Sequence, residues 1–136
     1  SLAIQTKGYN ALPIPASQIV DWEKQTAHLS HKMIALRAGM GWIGRNSLLV
    51  HPEFGSKIRI ATILTDMPLK TDNPVEKDCG ECKKCISICP VSAIGTTYQE
   101  WDRNACLEKL KYFSKTHNIG QYICGLCVKV CQPKAT

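Results

Sequence analysis

Eight cysteines in a chain of 136 residues carry the chemistry of this sequence. Cys79, Cys82, Cys85 and Cys89 follow one another at gaps of two, two and three residues, and Pro90 comes directly after. C-x2-C-x2-C-x3-C-P is the ligand spacing of a [4Fe–4S] cluster. A cubane presents its iron corners close together, so three thiolates must converge from one tight loop. The two-residue gaps make that loop and leave backbone N–H groups free to point at sulfur. The pattern predicts that Cys89 opens a helix, with Pro90 in the first turn, where its missing N–H would be unpaired anyway.

A second array, Cys124, Cys127 and Cys131, repeats the tail of the first, with Pro133 two places on. Cys106, well upstream, supplies a fourth thiol, and all eight cysteines are then used. In two-cluster ferredoxins the last cysteine of a run ligates the other cluster. This rule assigns Cys79, Cys82, Cys85 and Cys131 to cluster 1, and Cys89, Cys106, Cys124 and Cys127 to cluster 2. A disulfide framework fits poorly, because neighbours in C-x2-C-x2-C stand too close to bridge one another and no signal peptide precedes them. Structural zinc usually takes ligands as two separated pairs, not as three evenly spaced cysteines with a C-P. Inert buried cysteines would not form two matched arrays.

The elements that must position these thiols read as an α+β chain. Residues 1–72 are expected to form a small strand–helix layer, and residues 73–136 a ferredoxin-like double-cluster module. Pro68 to Glu76 is the expected boundary. Leu2, Ala3 and Ile4 read as a strand fragment, followed by a proline loop over residues 10–16. Ser17 is the expected N-cap of a helix carrying Ile19, Val20 and Trp22. A second helix, about 30–38, sets Leu29, Met33 and Leu36 on one core-facing stripe and stops at Gly39. Residues 47–51 and 57–65 read as strands flanking the turn His51 to Ser56. Beyond the first array, residues 89–94 are expected to form a short helix ended by Gly95. Asp102 is expected to cap a helix with Cys106, Leu110 and Phe113 on one face, ended by Asn118 and Gly120. Near its start the helix dipole favours a thiolate at Cys106.

Seventeen lysines and arginines against eleven acids give a formal charge of +6. The basic residues are spread evenly, with no dense run, which speaks against a nucleic-acid face. Each oxidised cluster with four thiolates carries about −2, bringing the loaded chain to roughly +2. Lys83, Lys84 and Lys129 lie inside the arrays; docking of an acidic redox partner and ordinary solvation explain them equally well. No apolar run is long enough to span a membrane. Ser1 in place of methionine is what a processed or excised chain would show.

Between the expected helix and the strands stand Gly39, Gly41, Trp42, Gly44, Arg45, Asn46 and Ser47, with three glycines in six residues. A cofactor-facing loop and a tight structural turn both fit. The dinucleotide fingerprint and the P-loop are both missing.

The run Ala38 to Ser56, then Ile63-Leu-Thr-Asp66, then the double cysteine array resembles the epoxyqueuosine reductases, over roughly residues 28–133. Those proteins, with the related reductive dehalogenases, couple a cobalamin-binding, nitroreductase-like domain to a two-cluster ferredoxin module. The resemblance implies a cytoplasmic reductase in which electrons pass from a redox partner through two [4Fe–4S] clusters to a reductase domain. It also implies cobalamin in the full-length protein, with Gly39, Gly41, Trp42, Gly44, Arg45, Asn46 and Ser47 as candidate cofactor-binding residues, and tRNA as a partner. A complete corrinoid-dependent reductase and a stand-alone carrier that docks a partner enzyme are the competing readings. Family members carry more sequence on the N-terminal side and a proton-donating acid in an Asp-Ser-x-Pro run. Here Gln25 falls at the acid's place and His28 at the proline's, with Asp21 and Glu23 the nearby carboxylates. The C-terminal helical repeats with which some members grip tRNA have no counterpart in this sequence.

Overall fold

The structure, a computed structural model, describes residues 1–15, 19–21, 23 and 26–133. Its elements in chain order are α1 (Leu2–Gln5), β1 (Ala11–Ile14), α2 (His31–Arg37), β2 (Trp42–Ile43), β3 (Leu49–Val50) and β4 (Thr62–Thr65), then α3 (Lys84–Ile88), a 3-10 turn (Tyr98–Glu100), α4 (Arg103–Thr116) and α5 (Leu126–Lys129). Helices and strands are mixed, as an α+β chain requires.

The chain packs as two units, one of Ser1–Met40 with Arg59–Val75, the other of Gly41–Ile58 with Glu76–Thr136. The linear division expected at 72/73 would keep residues 41–58 with the N-terminal part. They instead join the cysteine-bearing unit, because their contacts are with residues far along the chain.

In the first unit β1 and β4 pair antiparallel, Ala11 opposite Thr65 and Ile14 opposite Thr62. The strand therefore falls inside the expected proline loop. Pro13 is accepted there because both strands of a two-stranded ribbon are edges. Leu2 to Gln5, expected to be extended, coil into one turn, and the N–H groups of Ile4 and Gln5 donate to the Ser1 carbonyl. Lacking a strand to pair with, this segment satisfies its backbone locally. The ribbon's end is fixed by Asn10, whose backbone N–H and side-chain amide donate to the two Asp66 oxygens at 2.8 and 2.6 Å. These bonds hold the Asp66 carboxyl below its ordinary range.

Helix α2 forms where expected and ends at Gly39, whose φ of 71° is the left-handed conformation that closes helices. The stripe Leu29, Met33, Leu36 is not its buried face. Ala35 is the buried residue, while Met33 is more than a third exposed. His31 Nε2 donates to the Pro15 carbonyl, which leaves Nδ1 to accept from the Thr62 hydroxyl at 2.8 Å. Of the helix expected to start at Ser17, both Ser17 and Trp22 lie outside the described residues. Ile19 and Val20 are not helical, and Asp21 bridges Thr26 antiparallel.

In the second unit β2 and β3 form a hairpin, Trp42 opposite Val50 and Ile43 opposite Leu49. Its turn is closed by Gly44 N–H to the Leu48 carbonyl and Ser47 N–H to the Gly44 carbonyl. The expected pairing of 47–51 with 57–65 does not occur. His51 and Gly55 only bridge each other across a tight turn, and Thr62–Thr65 pairs with β1 instead. Trp42, Leu49, Val50, Ala93 and Ile94 are the buried apolar residues of this unit. Helix α3 packs on α5, bringing the two cysteine arrays together.

Candidate iron–sulfur centre

The first array is built by a turn and a helix. Asp78 accepts the Gly80 N–H at 2.7 Å, and the Cys82 N–H returns to the Cys79 carbonyl, curling the loop that carries Cys79 and Cys82. Cys85 then sits within α3 and Cys89 at its C-cap, with extended backbone. Cys89 therefore ends a helix; it does not begin one. Pro90 stands just past the helix end, another place where a residue without an N–H is at home. Residues 90–91 form a turn and 92–95 no regular element, in place of the expected short helix. The second array repeats the plan: Cys124 precedes Gly125 (φ 74°), Cys127 lies in α5, and Cys131 follows its end. Cys106 enters from α4, whose N-cap Asp102 accepts the Ala105 N–H at 2.9 Å, as its sequence position suggests.

None of the eight cysteines is disulfide-bonded, and Cys82 is the exposed one. Burial first, then the charge of Cys79, Cys127, Cys131 and Cys82, pushes the Cys85 thiol up to about 11. Cys106 is raised by burial and then by Cys127, Cys89 and Cys124. These causes outweigh the helix dipole expected to favour its thiolate. So Cys127 and Cys131 of the second array both stand around Cys85, Cys89 stands with Cys127 and Cys124 around Cys106, and Cys127 is common to the two groups. Among the described residues no three His, Cys, Asp or Glu side chains converge on a point that would hold a single metal ion.

Donors aimed at sulfur complete the fit. The Ala93 N–H reaches Cys89 Sγ at 3.3 Å. The Trp101 side chain hydrogen-bonds Cys106. Cys127, raised chiefly by burial, is lowered by hydrogen bonds from the Asn46 side chain and from backbone N–H groups. Such donors stabilise negative sulfur and are how proteins tune iron–sulfur sites. Trp101 and Ala93 carry no signal in the sequence, since neither belongs to a cysteine spacing.

The candidate loop residues divide. Gly39 belongs to the first unit. Gly41, Trp42, Gly44, Arg45, Asn46 and Ser47 belong to the second, where they brace the cysteine loops. Arg45 donates from Nη1 to the Cys82 carbonyl (2.6 Å), from Nη2 to Gly80 (2.7 Å) and from Nε to Thr96 (2.7 Å). A Cβ on Gly44 would stand 2.6 Å from Val50 Cγ2 and 3.5 Å from the Cys79 sulfur, so the hairpin backbone comes directly against that ligand. Asn46, buried, donates to Ser56 Oγ at 3.3 Å and accepts the Leu48 N–H. Gly41 is pressed against the Val50 carbonyl, and Ser47 is buried at positive φ. These groups are engaged by the chain itself, as a tight structural turn requires. Trp42 Nε1 is the exception: it is buried and has no hydrogen-bond partner among the described residues. A buried donor left unpaired costs on the order of 1–3 kcal/mol.

Residues 78–134 match the family described as a 4Fe-4S double cluster binding domain. Curated relatives include epoxyqueuosine reductases of Listeria monocytogenes (36% identical over 117 residues, 78% of this chain and 30% of that one) and Atelocyanobacterium thalassa (33% over 116 residues, 78% and 38%). The Escherichia coli enzyme is 39% identical over 85 residues, 62% of this chain and 22% of its own. The chain thus spans well under half of the relatives it matches. Among solved structures, epoxyqueuosine reductase from Streptococcus thermophilus superposes with a TM-score of 0.66 over 96% of this chain and 35% of that one, at 23% identity, a likeness of fold. An epoxyqueuosine reductase solved with a modified tRNA-Tyr stem loop superposes at 0.61, 26% identical, over 95% of this chain and 34% of that one. No helix among the described residues is long and apolar enough to cross a membrane. With a domain that binds two [4Fe–4S] clusters and relatives of this kind, the chain carries an epoxyqueuosine reductase-like iron–sulfur module.

Proposed function

We propose that this chain is the electron-transfer part of a cytoplasmic epoxyqueuosine reductase-like reductase, accepting electrons from a redox partner protein. Its acceptor is the reductase domain of the whole protein, where cobalamin belongs, and the substrate of that whole is tRNA. When bound, each cluster supplies a reversible one-electron carrier. Cys79, Cys82, Cys85 and Cys131 hold cluster 1; Cys89, Cys106, Cys124 and Cys127 hold cluster 2. What supports the reading is the gathering of the thiols of both arrays, with Cys79, Cys127, Cys131 and Cys82 around Cys85 and Cys127, Cys89 and Cys124 around Cys106, while the division into two sets follows the crossing rule.

The chain's own residues keep the site ready. Arg45 ties the Cys79–Cys82 loop to the segment after α3, so the loop thiols need not be ordered when metal binds. Ala93, Trp101 and Asn46 direct donors at Cys89, Cys106 and Cys127, which lowers the cost of gathering negative charge there. Anaerobically reconstituted protein should hold about eight irons and eight acid-labile sulfides per chain. It should also bleach near 400 nm on dithionite. Zinc in place of iron, with negligible sulfide, would overturn the proposal.

A further inference from the structure

We infer that the indole N–H of Trp42 is a hydrogen-bond donor to a sulfur of cluster 1, held there as a potential-setting contact; the inference rests on the function proposed above. Trp42 is 7% exposed, and its Nε1 has no hydrogen-bond partner among the described residues. Partners directly opposite each other on paired strands share a face. Trp42 lies opposite Val50, and Gly44 follows the end of β2 in the turn beside them. The Gly44 face is occupied by Val50 Cγ2 and then by the Cys79 sulfur. The unpaired indole is therefore on the hairpin face that meets a cluster 1 ligand.

The molecule already uses this contact once, where the Trp101 side chain bonds the sulfur of Cys106. An aliphatic or phenyl side chain would fill the Trp42 space without placing an unsatisfied donor beside the cysteine loop. An electron-rich sulfur is the acceptor that resolves it. Donors on cluster sulfur stabilise the more negative, reduced form and so raise the reduction potential.

Trp42→Phe keeps the ring and removes the donor. In the full chain, reconstituted anaerobically and titrated by EPR, cluster 1 should become harder to reduce. The reduced-to-oxidised ratio at a fixed ambient potential should fall about tenfold, or about 59 mV for one electron. Cluster 2 should keep its potential, and iron should stay near eight per chain. Unchanged cluster 1 potential with full iron, or equal shifts in both clusters, would overturn the assignment while leaving the electron-transfer reading intact. Failure of the wild-type chain to take up iron and sulfide would instead overturn that reading. If the variant loses cluster 1, wild-type protein with 15N-indole tryptophan decides the matter. A nitrogen and exchangeable-proton coupling to reduced cluster 1, kept in Trp101→Phe, supports the contact, and its absence refutes it.

Discussion

The guanidinium of Arg45 donates to three carbonyls, those of Gly80, Cys82 and Thr96. A lysine would keep the charge but not the planar fork, and could serve one of them well. Arg45→Lys should lower stability by about 1–2 kcal/mol, read as a denaturant midpoint. It should also speed the loss of iron to a chelator from cluster 1 before cluster 2. The crossed ligand sets make a sharper demand. Cys89→Ala should abolish the cluster of Cys106, Cys124 and Cys127 and spare the one that Cys79, Cys82 and Cys85 share with Cys131. EPR spectra in which Cys89→Ala damages the cluster of its own array would refute the crossing. Acid sensitivity has a local source in Glu100, which accepts the Thr96 N–H at 2.7 Å and its hydroxyl at 2.9 Å. These bonds lower its carboxyl below the ordinary value of 4.5. A depressed folded-state value means that the contribution is complete above the ordinary range and lost as pH falls through the lowered one. Glu100→Gln should therefore flatten the decline of stability below about pH 4.5, the usual carboxylate range. An unchanged acid limb would show that this contact is energetically silent.

At the scale of elements, the turn at His51–Gly55 sets a test of close packing. Gly55 has φ 63°, and a Cβ there would run into the Cys131 carbonyl. Gly80 also has positive φ (47°) but open space around it. Gly80→Ala should cost only the left-handed conformation, about 1–2 kcal/mol. Gly55→Ala must also displace the backbone of a ligand, so it should lose cluster 1 iron as well as stability. Equal behaviour of the two variants would mean that Cys131 can shift freely. At the start of α4, Asp102→Ala should cost about 1 kcal/mol through the lost N-cap.

These elements also show what could be read in advance. The cysteine arrays, the Asp102 cap and the Gly39 stop were legible because each is a local rule of spacing or backbone conformation. Cys89 was misplaced within its helix because Pro90 suits either end of one. The strands were misassigned because segments of two to four residues have no periodicity to measure. Arg45, Asn46 and Trp42 could be singled out only as part of a glycine-rich loop. Their partners, from Gly80 to Cys127, lie far along the chain, and no window of sequence contains both sides.

The two units differ in how they are held. The first buries little, and its ribbon leaves Leu12, Ile63 and Leu64 between 41% and 59% exposed. A two-stranded ribbon is marginal in water. The second has a small apolar core but eight thiols for metal to tie together, and in such folds metal binding is folding free energy. Removing iron by chelation under oxidising conditions should therefore melt α3 and α5, read as a loss of helical circular dichroism, while β1 and β4 amides keep the hydrogen-exchange rates they had. Retention of all helical signal in the metal-free chain would show that the protein scaffold folds without its clusters.

The interleaving of the units has a consequence for the order of events during synthesis. The hairpin Gly41–Ile58 leaves the ribosome long before the cysteine it packs against at Gly55. At about 5–20 residues per second, the chain between Gly55 and Cys131 takes on the order of ten seconds to appear. For that interval the segment has its own turn bonds, and after Thr96 emerges the Arg45 contacts to Gly80, Cys82 and Thr96, but not the Cys131 backbone at Gly55. In the proposed ligand set cluster 1 waits for its fourth thiolate from Cys85 to Cys131, a shorter interval of roughly 2–9 seconds at the same rate. Any scaffold protein that delivers a preformed cubane would meet three converging thiols first and must hold on until the fourth arrives. Nascent chains stalled just before Cys131 should accept a cluster only transiently and give it up to a chelator. Chains stalled far enough beyond Cys131 to expose it should keep theirs.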